Sequence, residues 1–260
     1  MSENKTDVSK PVSDKTVVIF NAPIGAGKDA SADYLHEYFQ SGQRLSFKEA
    51  LYEDTADYFD IDVNDLIEHH SDRSLKEVPS LMFPKHGRNS LLQMLYSIWY
   101  VIGTLLNNRY LMSLGYYSSR EALIHVSEEV VKPEYGEDYY GQKIVYKIQN
   151  SPDRYVFLSD GGFKAELTPL LDKGYNVHIV KLERSGATFE RDSRTLLNED
   201  DFKAYSNIKF TTISNNGSLD DLYDNIREFA FDLVLNTTKE FYGGSYEMEE
   251  IQSEYEIVET

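Results

Sequence analysis

Nine consecutive residues, Asn21-Ala-Pro-Ile-Gly-Ala-Gly-Lys-Asp29, carry the strongest chemical signal in the chain. Glycines at 25 and 27 let backbone N–H groups turn inward around phosphate oxygens, and a helix starting at Lys28 adds positive potential. Ala22, Ile24, Gly25, Ala26, Gly27, Lys28, Asp29 and Ala30 thus form a cradle for nucleotide phosphates, with Lys28 bridging the β- and γ-phosphates. Two positions depart from the general phosphate-loop pattern. Ala22 replaces the first glycine, and Asp29 stands where Ser or Thr would touch Mg²⁺. A carboxylate also binds Mg²⁺, directly or through water, and its charge beside phosphates makes the metal more necessary. The alternative is an ordinary Gly-rich turn ahead of a helix.

A loop of this kind needs a buried strand before it and an amphipathic helix after it. Thr16-Val-Val-Ile-Phe20 is a short β-branched apolar run that suits a buried parallel strand. From Lys28, Ala32, Leu35 and Phe39 recur at one-face spacing, and Gly42 stops the helix. Leu45-Ser46-Phe47 leads into a further helix through Phe59. Tyr155–Ser159, Tyr175–Leu182 and Phe210–Ile213 read as further strands. Phe163–Lys173 reads as a helix that Pro169 threatens to break, and Leu219–Thr237 as a closing helix. Strands alternating with helices predict an α/β fold with a parallel sheet flanked by helices. Residues 60–150 interrupt that rhythm and read as a mainly helical substrate-side insertion, irregular over 133–143. The domain spans 15–240, between a disordered leader at 1–14 and an acidic flexible tail at 241–260.

Composition narrows the function classes. The 260 residues include 26 Lys+Arg against 44 Asp+Glu, a formal charge of −18. Such a field repels nucleic acid and anionic membrane, while a few local cations and N–H groups still admit a small anionic ligand. The tail holds six of the glutamates. There is no cysteine, so thiolate metal sites and disulfides are excluded, and a cytoplasmic setting is compatible. The polar N-terminus is not a signal peptide. Leu91–Leu106 is apolar, but too short and mixed to span a bilayer, and reads as a buried helix or a homodimer-forming one. His69-His70 lack a third ligand at useful spacing and read as surface; His36 and His178 are no better as ligands.

The motifs, in order, resemble the deoxynucleoside monophosphate kinases of tailed bacteriophages, a branch of the P-loop nucleoside monophosphate kinase fold. The loop ending Gly27-Lys28-Asp29 is the specific one, since Gly-Lys-Asp is usual in that branch. Leu45-Ser-Phe-Lys-Glu-Ala-Leu51, Ser118-Ser-Arg-Glu-Ala-Leu123 with Gly136-Glu-Asp138, Leu158-Ser-Asp-Gly-Gly-Phe-Lys-Ala-Glu166 and Ile213–Leu222 follow in family order, spanning roughly 15–235. One departure stands out. Relatives carry an Arg between the strand-end Asp and the Phe, where this chain has Gly161-Gly162.

The resemblance implies ATP and Mg²⁺ as cofactors, a mononucleotide partner, and roles for single residues. Asp160, at a strand's C-terminal end, is a Mg²⁺ residue beside Asp29, or else a capping turn Asp. Arg120 clamps the acceptor phosphate, or is a surface Arg. Arg184, Arg191 and Arg194 belong to a lid over 184–205 that excludes water, or to a solvated helix. Asn215, Asn216 and Gly217 line the adenine side, or form a plain turn. Phe47 stacks on the acceptor base, or is core, and Lys48 is a phosphate candidate. The implied reaction is phosphorylation of deoxynucleoside monophosphates. The Gly161-Gly162 departure leaves room for a hydroxymethyl-pyrimidine acceptor, free or in DNA. A non-catalytic nucleotide-binding regulator and a coenzyme-precursor kinase are the other readings.

Overall fold

The computed structural model describes residues 13–39, 42–87, 90–190 and 195–242, with side chains as far as 235. Most of the leader, nearly all of the tail, and Arg191 and Arg194 lie outside the described residues.

Strand β1 (Thr16–Asn21) is buried along its whole length. It pairs in parallel with β5 (Tyr155–Leu158) on one side and β6 (Asn176–Glu183) on the other. β7 (Ile208–Ser214) continues in parallel from β6, and β2 (Gly42–Leu45) lies beside β5, giving the order β2-β5-β1-β6-β7. A strand buried on both faces reads as a continuous apolar run, which is why Val17, Val18, Ile19 and Phe20 are all fully buried. The chain is therefore an α/β protein of P-loop type, with the loop at the C-terminal end of the central strand.

Two compact units divide the chain. The first comprises 1–44, 152–162 and 174–260. Here α1 (Lys28–Tyr38) and α10 (Leu219–Tyr242) cover the sheet, with Leu35, Phe39, Ile226 and Leu233 packed against Val18, Phe20 and Val180.

The second unit comprises 45–151 and 163–173. It contains α2 (Phe47–Phe59), α3 (Val63–Ser71), the antiparallel pair β3 (Pro79–Pro84) and β4 (Tyr116–Ser118), α4 (Leu91–Leu105), α5 (Arg109–Ser113), α6 (Ser119–His125), a π-helix (Val126–Val131), α7 (Lys132–Tyr135), α8 (Tyr139–Gln149) and α9 (Lys164–Asp172). Three local expectations are corrected. The stretch 133–143 is largely helical, Pro169 sits inside an unbroken α9, and α4 is not a core helix. Of α4's side chains only Gln93 lies buried, with Gly103.

Candidate functional site

The loop between β1 and α1 is shaped by two left-handed glycines, Gly25 at φ 79° and Gly27 at φ 97°. Side chains hold it from outside. Arg184 Nη1 donates to the Gly25 carbonyl at 2.9 Å, and Asn215 Nδ2 to the Ala26 carbonyl at 2.9 Å. The Asn215 amide also lies where a side chain at 27 would start, 2.6 Å from an added Cβ. Lys28 Nζ donates to the carbonyls of Ala22 at 2.7 Å and Pro23 at 2.8 Å.

Asn215 is buried and its N–H reaches the Glu183 carbonyl at 2.8 Å. Its amide braces the loop from the turn after β7. Asn216 is likewise engaged, its Oδ1 accepting from Ser185 N at 2.7 Å. Gly217 precedes a reciprocal cap. Ser218 Oγ accepts from Asp221 N, and the Asp221 carboxylate accepts from Ser218 N and Oγ, holding its pKa below the usual range.

The metal candidate Asp29 stands at the first turn of α1 with its carboxylate 83% exposed. Ser159 Oγ, one residue beyond β5, donates to Asp29 Oδ1 at 2.6 Å. Arg44 on β2 donates through Nη2 to Ser159 Oγ at 2.7 Å, lies 3.7 Å from Asp29, and pairs with Asp33 through Nε at 3.1 Å. This brings Asp160, next to Ser159, to the same strand end as the loop. Among the described residues no group of three or more His, Cys, Asp or Glu is placed to hold a metal. One exposed carboxylate beside a phosphate cradle fits Mg²⁺ arriving with a nucleotide, which takes one or two carboxylates plus phosphate oxygens, better than a resident ion in a protein cage.

Sequence reasoning missed three residues of this region: Arg44, Ser159 and Asn21. Asn21 is 1% exposed and donates to the Gly161 carbonyl at 3.2 Å and the Thr195 carbonyl at 3.0 Å, while accepting from Leu197 N at 2.8 Å. One buried amide therefore ties two other chain segments, at 161 and at 195–197, to the end of β1. The available signal was a polar residue ending an otherwise apolar strand.

In the second unit, Arg120 opens α6. Ser118 and Glu121 form the capping box that their spacing suggested. Arg120 N donates to the Lys76 carbonyl at 3.3 Å, and its Nη1 pairs with Glu77 at 3.2 Å, both ends half-exposed. Lys48 lies over the Tyr52 ring at 4.9 Å, and Tyr52 meets His70 edge-on at 5.7 Å. Phe47 is 4% exposed, so its ring as folded offers no open face to a base.

His70 is 5% exposed, not surface as expected. Burial, followed by the charges of Lys48, Lys76 and Arg120, pushes its pKa from 6.5 to about 3. Helices α2 and α6 and the turn after α3 therefore bring Lys48, Arg120 and Lys76 near a neutral buried histidine, in a chain of charge −18. A histidine depressed in the folded state binds fewer protons there than when unfolded. Its contribution is complete above pH 6.5 and is lost as pH falls towards 3. Lowering pH from 7.5 to 5 is expected to reduce stability by on the order of 1–2 kcal/mol through this group. Urea titrations of the parent and His70→Asn at both pH values check it: the substitution should flatten the loss.

No protein-family model matches the chain, and no curated protein matches it. Two solved structures are similar at low TM-score. One is TT1252 from Thermus thermophilus, 17% identical, covering 84% of this chain and 97% of that one, with a TM-score of 0.35. The other is dephospho-CoA kinase from Campylobacter jejuni, 14% identical, covering 85% and 98%, with a TM-score of 0.34. No helix among the described residues is long and apolar enough to cross a membrane.

Proposed function

We propose that the chain transfers the γ-phosphoryl group of ATP to a deoxynucleoside 5′-monophosphate, releasing ADP and the diphosphate. The observation that carries this reading is the phosphate loop Ala22–Ala30. It is held in shape by Arg184 and Asn215, with Lys28 and Asp29 at its mouth. The family order of the motifs supports the acceptor class, as do the cations Lys48, Lys76 and Arg120 gathered around His70.

Phosphoryl transfer needs positioning and charge stabilisation more than covalent chemistry. The acceptor phosphate attacks in line, so no protein nucleophile is used. Lys28 leaves the carbonyls of Ala22 and Pro23 for phosphate oxygens, and N–H groups of the loop and of the first turn of α1 take the rest. Asp29 and Asp160 are the residues to hold Mg²⁺, which when bound neutralises charge on the phosphoryl oxygens. Arg44 keeps Asp29 in place through Ser159. Arg120, with Lys48 and Lys76, receives the acceptor phosphate, and a guanidinium serves there because it meets two oxygens at once. Arg184 is tied to the loop backbone, which makes it a positioning residue in this reading. Arg191 and Arg194 keep the lid role that the resemblance implies.

A second acceptor is favoured by one feature. Gly161-Gly162 is buried, with the Gly161 carbonyl held by Asn21, so no side chain takes the place of the relatives' Arg. A 5-hydroxymethyl pyrimidine nucleotide belongs in the test for that reason. Coupled ADP release with Mg·ATP is measured against the four dNMPs, two 5-hydroxymethyl dNMPs and hydroxymethylated DNA. Turnover with one or more mononucleotides is the expected result. ATP binding with no turnover on any of them overturns the proposal, and turnover on the DNA alone transfers the site to a polymer.

A further inference from the structure

The helix α4 is built inside out. Around a helix of 3.6 residues per turn, Gln93, Tyr96, Ser97, Tyr100 and Gly103 fall on one arc, and this arc faces the body of its unit. Gln93 donates to the Gly115 carbonyl and accepts from His86 N, both at 3.1 Å. Ser97 and Tyr116 hydroxyls meet at 2.7 Å, and Tyr100 Oη reaches the Pro79 carbonyl at 3.2 Å. Gly103 is closed over by α5, where an added Cβ would lie 2.8 Å from Met112. The opposite arc holds Leu91, Met94, Leu95, Ile98, Val101 and Leu105, flanked by Trp99 and Leu106, and it faces outward. Leu91 is 74% exposed and Leu105 80%.

A soluble helix normally turns its apolar stripe to the core and its polar stripe to water. Here the polar contacts fix the reverse orientation, so it is not a matter of loose packing. At roughly 150–200 Å² for each fully exposed large apolar residue, the outward arc offers on the order of 800–1,000 Å² per chain, above the ~300–600 Å² of the largest patch on a typical monomer. It matches the ~800 Å² that each partner brings to a standard protein interface.

We infer that this face is covered by the same face of a second copy of the chain, α4 packing on α4 about a two-fold axis. Charge selects that occupant. Residues 91–106 contain no Asp, Glu, Lys or Arg, while the chain as a whole carries −18. Two copies repel at long range and can meet only through a patch free of charge, and this is such a patch. A two-fold interface must also be self-complementary, and an uncharged aliphatic arc meets its own image without an unpaired group. A membrane surface fits less well. Interfacial helices set basic residues against anionic lipid, and α4 has none.

The chain has no cysteine, which makes the test clean. Sedimentation of the full chain at 1–50 µM should give twice the 30.0 kDa chain mass. The pair Leu95→Glu with Ile98→Glu should weaken self-association at least about 100-fold, giving a monomer with an unchanged far-UV spectrum, since two buried carboxylate pairs must be desolvated. Should that pair fail to fold, single substitutions Leu95→Cys, Ile98→Cys and Ile102→Cys carry the test. At least one should form a disulfide-linked dimer on mild oxidation. A monomeric parent at 50 µM overturns the inference, as does a charged pair that remains dimeric. No crosslink from any of the three cysteines, or a monomer that floats with neutral phosphatidylcholine vesicles, overturns it too.

Discussion

Lys28→Ala is expected to lower kcat for ADP release by about 10²–10³-fold, a loss of roughly 3–4 kcal/mol of transition-state stabilisation. The ammonium is the one side-chain cation carried by the loop itself, and the loop's N–H groups are fixed dipoles that a substitution at 28 leaves in place. Its loss therefore removes charge where charge develops, without removing the cradle. Nucleotide binding should weaken less than turnover, because the N–H groups continue to hold the phosphates. The fold should survive. Lys28 Nζ donates to the carbonyls of Ala22 and Pro23 in its own loop, and both carbonyls can turn to water. Steady-state kinetics with ATP titrated by calorimetry separate the two effects. Unchanged kcat in a folded variant would remove the loop from the chemistry.

Arg120→Ala is the second large effect. It should reduce kcat/KM for the acceptor by about 30–100-fold, expressed mostly in KM, with ATP affinity unchanged within about twofold. Arg120 is half-exposed and paired with Glu77 at 3.2 Å, so its removal leaves only a surface acid without a partner. Stability should change little, since exposed pairs contribute about 0–1 kcal/mol. Arg120→Lys should recover only part of the loss, because an ammonium cannot meet two phosphate oxygens in one plane. An acceptor KM equal to the parent's in Arg120→Ala would return the residue to the surface role that its exposure alone permits.

What could be read from the chain was what lies close along it. The β-branched run, the two glycines, Lys28 and the helix after it are contiguous, so strand, loop and helix follow from local pattern. The box at Ser118 and Glu121 is likewise a three-residue relation. Contacts made by folding were not legible. Ser159 reaches Asp29 across 130 positions, and Asn21 reaches Gly161 across 140. No periodicity reports such pairs. The contact of the Asn215 amide with the Ala26 carbonyl, 189 positions away, is another such pair. His70 reads as surface because it lacks a third ligand at useful spacing, which says nothing of burial, and it lies 5% exposed with the Tyr52 ring of α2 edge-on to it. The apolar richness of α4 was plain. Which side faced inward depended on Gln93, Ser97 and Tyr100 finding partners in β3, β4 and the turns beside them.

Consider the carbonyls of the phosphate loop. Those of Ala22 and Pro23 accept from Lys28, that of Gly25 from Arg184, and that of Ala26 from Asn215. Three side chains, Lys28, Arg184 and Asn215, thus occupy four of the loop's carbonyls and leave fewer free acceptor atoms to oppose an anion. The ordering entropy of this segment was spent when the chain folded. On the proposed reading, an arriving polyphosphate competes with the carbonyls of Ala22 and Pro23 for the Lys28 ammonium.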